Sequence, residues 1–193
     1  MQALSDVIEQ RRARRALSGK PVPDEVMRRV MRAATYAPSC FNNQPWRFVV
    51  LTGEEELAKA KDGLSTGNYW AGKAPVIVLA VTRQDLDCRL SQGRDYAYFD
   101  LGQAVQSLIL QATAEGLIAH PIAGFKPAVI KEAFSIPEGY VLLTLIIIGY
   151  PGDAAHLNEK HRQLEISERS RKPDRQVVGW NRWIEGEPKT EGG

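Results

Sequence analysis

Two nearly unbroken apolar runs constrain the fold most strongly: residues 76–81 (VIVLAV) and residues 141–148 (VLLTLIII). Each run is shorter than the ~18–20 residues that a membrane-spanning helix needs. Short apolar runs of this kind are typical of strands covered on both faces, because a half-exposed strand alternates apolar and polar residues. The sequence therefore predicts two buried strands of a sheet layered with helices.

Helical and strand-like patterns alternate along the rest of the chain. Apolar residues recur at helical spacing in the predicted helices, whereas aromatic and β-branched residues mark two further strands. The predicted helices cover 3–12, 24–37, 54–62, 96–116 and 127–134, and the further strands cover 46–52 and 118–125. This order predicts an α/β or α+β fold in which a sheet is layered with helices.

Length and composition favour one domain: 193 residues, of which 44% are hydrophobic and 25% charged. We expect a core over residues 1–150 and an extension of the same domain over 151–193. The extension is polar but contains Trp180 and Trp183, so we predict that it docks on the surface of a partner subunit. The N-terminus lacks the layout of a signal peptide and no apolar run could cross a membrane, so we expect a cytoplasmic protein without membrane partners.

Several classes of site are disfavoured by what the sequence lacks. Cys40 and Cys88 form no C-x-x-C pair, so we expect neither a disulfide framework nor a structural zinc ion. The three histidines lack metal-ligand spacing, so no metal is predicted. Phosphate-loop, H-E-x-x-H and G-x-G-x-x-G motifs are absent. A net charge of +2 does not by itself indicate a nucleic-acid partner.

The basic residues cluster near both ends of the chain. Arginines occupy four of the five positions 11–15, and the run Arg169-Ser170-Arg171-Lys172 lies near the other end. A charge run is often only a solvated face. Arginine nevertheless favours bidentate contact with phosphate. The two clusters are therefore candidate anion ligands.

The loop of residues 37–46 (APSCFNNQPW) is a candidate ligand-binding loop. Pro38 and Pro45 keep it irregular, because each disfavours a helical conformation in the residue before it. Its amide and hydroxyl groups offer donors and acceptors, and Phe41 and Trp46 add flat apolar surface. An ordinary polar connection between a helix and a strand remains open as the alternative.

Four segments in this order resemble the FMN-dependent nitroreductase family. They are Arg11-Arg12-x-x-Arg15, the run Pro-Ser-x-x-Asn-x-Gln-Pro-Trp that starts at Pro38, Pro121-Ile122-Ala123-Gly124-Phe125, and Arg169-Ser170-Arg171-Lys172-Pro173. The resemblance covers nearly the whole chain and implies an α+β fold with a mixed central sheet layered with helices. It implies a homodimer with FMN at the subunit interface, which takes hydride from NADH or NADPH and reduces nitroaromatics, quinones or similar small acceptors in ping-pong fashion.

The resemblance also implies roles for individual residues. The flavin would do the redox chemistry, so no catalytic side chain is expected. The expected cofactor-binding residues are Arg11, Arg12, Ala13, Arg15, Ser39, Cys40, Asn42, Gln44, Asn68, Pro121, Ile122, Ala123, Gly124, Arg169 and Arg171. Those of the loop would come from the partner subunit. Ala13 stands where the family often has serine, which removes one hydroxyl contact to phosphate.

Two residues are expected near the substrate. Phe41 lies inside the polar loop, where it would either stack on a flat acceptor or turn into the interface core. His120 would lie at a strand end beside the pocket, or merely fill that strand end. An alternative from another class is a non-catalytic module, either a flavin carrier or a basic nucleic-acid binder. The affinity of such a binder for nucleic acid would fall steeply as salt is added.

Overall fold

The computed structural model describes residues 4–184. The helices are α1 (Asp6–Gln10), α2 (Asp24–Thr35), α3 (Glu54–Asp62), α4 (Tyr96–Ala114), α5 (Pro127–Ala133) and α6 (Glu159–Ile166). The strands are β1 (Arg47–Leu51), β2 (Val76–Thr82), β3 (Arg89–Leu90), β4 (Arg94–Asp95), β5 (Ile118–Ile122) and β6 (Val141–Gly149). Short 3-10 helices cover Cys40–Asn42, Thr66–Lys73, Gln84–Leu86 and Asp174–Gln176.

The central sheet has four strands in the order β1-β2-β6-β5, and β3 and β4 form a separate hairpin. All three strand pairs of the central sheet are antiparallel. The α+β class is confirmed, but the expectation of a mixed sheet is wrong for the residues that the structure describes. Strand direction depends on how each connection crosses the sheet, and apolar runs carry no information on that path.

The two apolar runs form the adjacent inner strands β2 and β6. Every residue of β2 is buried. Val76, Val78 and Ala80 face one apolar cluster, whereas Ile77, Leu79 and Val81 face the other. Strand β6 divides its side chains in the same way from Leu145 to Ile148, whereas Val141 and Leu143 near its start are exposed. The continuous hydrophobicity of these runs thus reflects burial on both faces of the sheet.

Helices cover both faces. On one face, α2 and α4 pack together and bury Val30, Leu101 and Leu108 against the sheet. On the other face, α3, α5 and the 3-10 helix Thr66–Lys73 bury Leu57, Ile130 and Trp70. Among residues 4–184, no helix is both long and apolar enough to cross a membrane.

The segment before α2 and the segment after β6 lie side by side next to this core. Ser18 N donates to Tyr150 O (3.0 Å) and Gly152 N donates to Ala16 O (2.8 Å). A Cβ on Gly152 would lie 2.5 Å from Ser18 N, so only glycine allows this approach. The segment after β6 therefore continues along the N-terminal segment, and Leu157 beyond it is buried in the core.

Candidate functional site

The two arginine clusters line one pocket. Its accessible volume is about 290 Å³. Its lining consists of Arg11, Arg12, Ala13, Arg15, Leu164, Ser167, Glu168, Arg169, Ser170 and Arg171. The predicted convergence of residues 11–15 with residues 169–171 is therefore present in the fold of a single chain.

Backbone carbonyls hold the two clusters together. Arg169 donates from Nη1 to Ile8 O (3.1 Å) and from Nη2 to Glu9 O (2.6 Å) and Arg11 O (2.7 Å). These carbonyls lie at the C-terminal end of α1, where the last turn of a helix leaves acceptors unsatisfied. Arg12 Nη2 donates to Ser167 O (2.6 Å) in the opposite direction across the pocket.

The pocket is electrostatically unbalanced. Burial lowers the pKa of Arg11 below its ordinary value, and the charges of Arg169, Arg171 and Arg12 lower it further. Within residues 4–184, no ion pair neutralises Arg11, Arg12, Arg15, Arg169 or Arg171. Like charges held this close disfavour one another. The arrangement is suited to an anion with several acceptor oxygens.

Helix α6 supports the arginine segment in a way that the sequence did not suggest. Glu165 is 8% exposed, and its Oε1 accepts a 2.6 Å hydrogen bond from Arg15 N. The Arg15 guanidinium lies 5.8 Å from the centroid of the Trp70 ring. A single carboxylate in the polar segment 156–175 gives no sign in the sequence that it will be buried.

Asn68 and Gly124, predicted to line the ring of the cofactor, are in contact. Asn68 Nδ2 donates to Gly124 O at 2.8 Å, and Ser65 N donates to the same oxygen at 3.0 Å. A Cβ on Gly124 would lie 2.6 Å from Asn68 Nδ2, so a larger residue there would displace the Asn68 amide from this contact. The 3-10 helix that carries Asn68 also carries Trp70, which connects this contact with Arg15.

The segment before Gly124 presents backbone rather than large side chains. Pro121 and Ala123 are exposed, whereas the Ile122 side chain is buried in the core. Ile122 can therefore meet a ligand only through its main chain.

His120 is buried in the core. It is 8% exposed, its Nδ1 donates to Arg14 O (3.0 Å), and its ring lies 4.8 Å from the ring of Trp70. Burial is the main cause that lowers the pKa of His120 to about 4. The expected contact with substrate does not agree with this placement, because β5 directs the side chain inward. The other interpretation, a histidine that fills a strand end, fits the structure.

The polar loop is open and mostly bonded to itself. Gln44 N donates to Ser39 Oγ (3.0 Å), and Gln44 Nε2 donates to Asn42 O (3.1 Å). Phe41 is 93% exposed and has φ +48°, a conformation rare for non-glycine residues. In the described chain, no hydrogen bond or ion pair joins residues 39–44 to the arginine pocket. Within a single chain, the predicted phosphate ligands line one pocket and the predicted ring ligands Asn68 and Gly124 contact each other. Within residues 4–184, the loop of residues 39–44 bonds to neither group.

A disulfide joins Cys40 of the loop to Cys88. The expectation of no disulfide framework therefore missed this bond, because the fold brings together two residues that are 48 positions apart. Cys40 N donates to Asp100 Oδ2 (2.7 Å) on α4. Asp100 is 1% exposed, and burial, followed by the nearby Asp87, raises its pKa. No spacing rule in the sequence indicates this cluster.

Comparison with known proteins agrees with the resemblance seen in the sequence. The model of the Nitroreductase family matches residues 8–67 and 62–150. A Stenotrophomonas maltophilia protein, provisionally named NADH dehydrogenase/NAD(P)H nitroreductase, is 30% identical over 188 residues, which cover 88% of this chain and 95% of that protein. A Thermus thermophilus NADH dehydrogenase is 26% identical over 176 residues, which cover 76% and 85% of the two chains.

Solved structures show the same fold. An oxidoreductase described as containing FMN superposes with a TM-score of 0.83 and 29% identity, covering 96% of this chain and 95% of that one. A provisionally named nitroreductase from Exiguobacterium sibiricum, solved in complex with FMN, has a TM-score of 0.76 at 22% identity, with coverage of 93% and 99%. From the family match and the shared fold, this chain belongs to the nitroreductase family.

Proposed function

We propose that this member of the nitroreductase family is an FMN-dependent NAD(P)H oxidoreductase that reduces nitroaromatic, quinone or similar small acceptors. The arginine pocket is the observation that carries the proposal. Five arginines from both ends of the chain converge there, and none of them has an ion-pair partner among residues 4–184. The FMN phosphate, which is close to a dianion, would supply the missing negative charge.

The donor set fits the cofactor in type and arrangement. Arg11, Arg12, Arg15 and Arg171 would bind the phosphate. Arg169 already donates to three carbonyl oxygens, so it would position the pocket as well as add positive charge. The contact of Asn68 with Gly124 would offer an amide edge and a small-residue face to the isoalloxazine ring. Ala13 offers no hydroxyl, so the other phosphate donors would compensate.

FMN, when bound, would supply the chemistry for hydride transfer between NADH or NADPH and the second substrate. The protein would bind and orient the two substrates in turn, and the positive charge of the arginine pocket would favour an anionic cofactor. No side-chain nucleophile is required.

The loop would complete the site in a homodimer. Ser39, Cys40, Asn42 and Gln44 lie on an open surface of the single chain and make no bond to its arginine pocket. We infer that they contact the flavin of the partner subunit, with Phe41 over the acceptor. The exposed side chains of Trp180 (83%) and Trp183 (86%) support docking of the tail on a partner. Cytoplasmic location stays a prediction.

Steady-state kinetics tests the proposal. Initial rates with NADH or NADPH and a quinone, each varied at fixed levels of the other, should give parallel double-reciprocal lines, because one product leaves before the second substrate binds. Intersecting lines would contradict the ping-pong order. Absence of any FMN-stimulated NAD(P)H oxidation would contradict the enzyme assignment and leave a flavin carrier or a nucleic-acid binder.

A further inference from the structure

The disulfide between Cys40 and Cys88 connects the polar loop to a different part of the fold. Cys40 begins the 3-10 helix Cys40–Asn42, and Cys88 directly precedes the hairpin of β3 and β4. Cys40 and Cys88 are both partly exposed residues, so we expect a thiol reagent from solvent to reach the pair.

The anchors of residues 40–43 converge on the neighbourhood of this disulfide. Cys40 N donates to Asp100 Oδ2 (2.7 Å), and Asn43 Nδ2 donates to Asp87 Oδ1 (3.1 Å). Asp87 Oδ1 also accepts from Cys88 N at 2.8 Å. Asn43 Nδ2 also donates to Cys88 Sγ (3.7 Å), and in the described chain the remaining hydrogen bonds of residues 40–43 stay within residues 39–44. The covalent link is therefore the strongest of four attachments that hold this stretch, the others being the hydrogen bonds to Asp100, Asp87 and Cys88.

The conformation of the loop requires such attachments. Phe41, Asn42 and Gln44 have φ values of +48°, +58° and +50°, a region that side chains other than glycine seldom occupy. Such a conformation costs free energy and persists only where the surroundings impose it. The Phe41 side chain contributes little packing, since it is 93% exposed.

We propose that the pair is a reducible thiol–disulfide site whose opening by a dithiol releases the loop of residues 39–44. A thiolate of the dithiol bonds to one cysteine sulfur while the Cys40–Cys88 bond breaks, and its second thiol then displaces that cysteine. The dithiol leaves as its own disulfide, and its two electrons and two protons end on the cysteines as two thiols. The consequence for flavin binding rests on the proposed function, whereas the release of the loop does not.

Thiol trapping of the folded full-length chain tests the first step. Wild-type protein purified in air should show no alkylated cysteine without reductant, and two alkylated cysteines after native incubation with dithiothreitol. Titration against mixtures of reduced and oxidised dithiothreitol should follow a two-electron curve. Alkylation of both residues without reductant would overturn the proposal, as would a disulfide that opens only in denaturant.

Amide hydrogen exchange tests the second step. Reduction should speed amide exchange of residues 39–44 about tenfold or more, because the cross-link no longer restricts local opening of the loop. Cys88→Ser should show the fast exchange with or without reductant, whereas Ser91→Ala at the tip of the same hairpin should behave as wild type. Equal exchange in the oxidised and reduced wild type would overturn the proposal. Redox-dependent exchange in a protein that never binds FMN would contradict the proposed function alone.

Discussion

Removing one arginine from the pocket should weaken FMN binding without destabilising the protein. Arg11→Ala and Arg171→Ala each delete a charge-assisted hydrogen bond worth about 1.5–3 kcal/mol, which corresponds to an increase of about 10- to 150-fold in Kd. Arg11 is partly buried, so the increase in Kd for Arg11→Ala should lie near the upper end of this range. Arg171 is exposed, so the increase for Arg171→Ala should lie near the lower end.

Removing Arg171 should weaken FMN binding but should not lower the stability of the flavin-free protein. The folded state lowers the pKa of Arg11 through burial and through Arg169, Arg171 and Arg12, so the charged pocket costs folding free energy. Taking away Arg171 relieves part of this repulsion. We therefore expect the Tm of flavin-free Arg171→Ala to equal or exceed that of the flavin-free wild type.

Titration of the flavin-free protein with FMN, followed by flavin fluorescence, measures Kd, and a thermal melt measures stability. Arg28→Ala is the matched control, because Arg28 is an exposed arginine of α2 and does not line the pocket. Wild-type affinity in both pocket variants would refute the phosphate assignment. An equal loss in Arg28→Ala would show that only the overall charge matters.

Three further predictions concern other parts of the molecule. His120 has an ordinary pKa of 6.5 and a pKa of about 4 in the folded protein, so between these values the unfolded chain binds a proton that the folded chain does not. The free energy of unfolding should therefore fall by up to about 3 kcal/mol as the pH drops from 6.5 to 4. Denaturant unfolding should show a shallower pH dependence of stability in His120→Gln, and an identical pH dependence would contradict this. Phe41→Ala should raise KM for a quinone about 2- to 12-fold, the range of one aromatic pair, with the flavin spectrum intact; an unchanged KM would argue against stacking. Deletion of residues 173–193 should weaken both dimerisation and FMN retention, measured by sedimentation and absorbance, and a truncated dimer with full FMN would count against docking of the tail.

Sequence patterns predicted the parts of the fold that depend on hydrophobic burial. The apolar runs at residues 76–81 and 141–148 indicated buried strands, since a strand with helices on both sides has no polar face. They could not indicate strand direction, and the sheet is antiparallel where a mixed one was expected. Direction is decided by the path of the connecting segments.

The arginine pocket was predictable from chemistry, whereas its support was not. Arginine-rich runs at both ends of the chain suggested a shared anion. The contacts that join them run from Arg169 to carbonyl oxygens at the end of α1, and backbone acceptors are the same in every sequence. Burial of His120 and pairing of Cys40 with Cys88 likewise depend on tertiary packing, which no local spacing records.

The visible absorption spectrum of the purified full-length protein tests the central claim most directly. After incubation with FMN and gel filtration, we expect a yellow protein with about one flavin per chain, whose flavin absorbance bleaches on anaerobic addition of NADH or NADPH. A colourless protein that instead binds nucleic acid with a steep dependence on salt would contradict the claim.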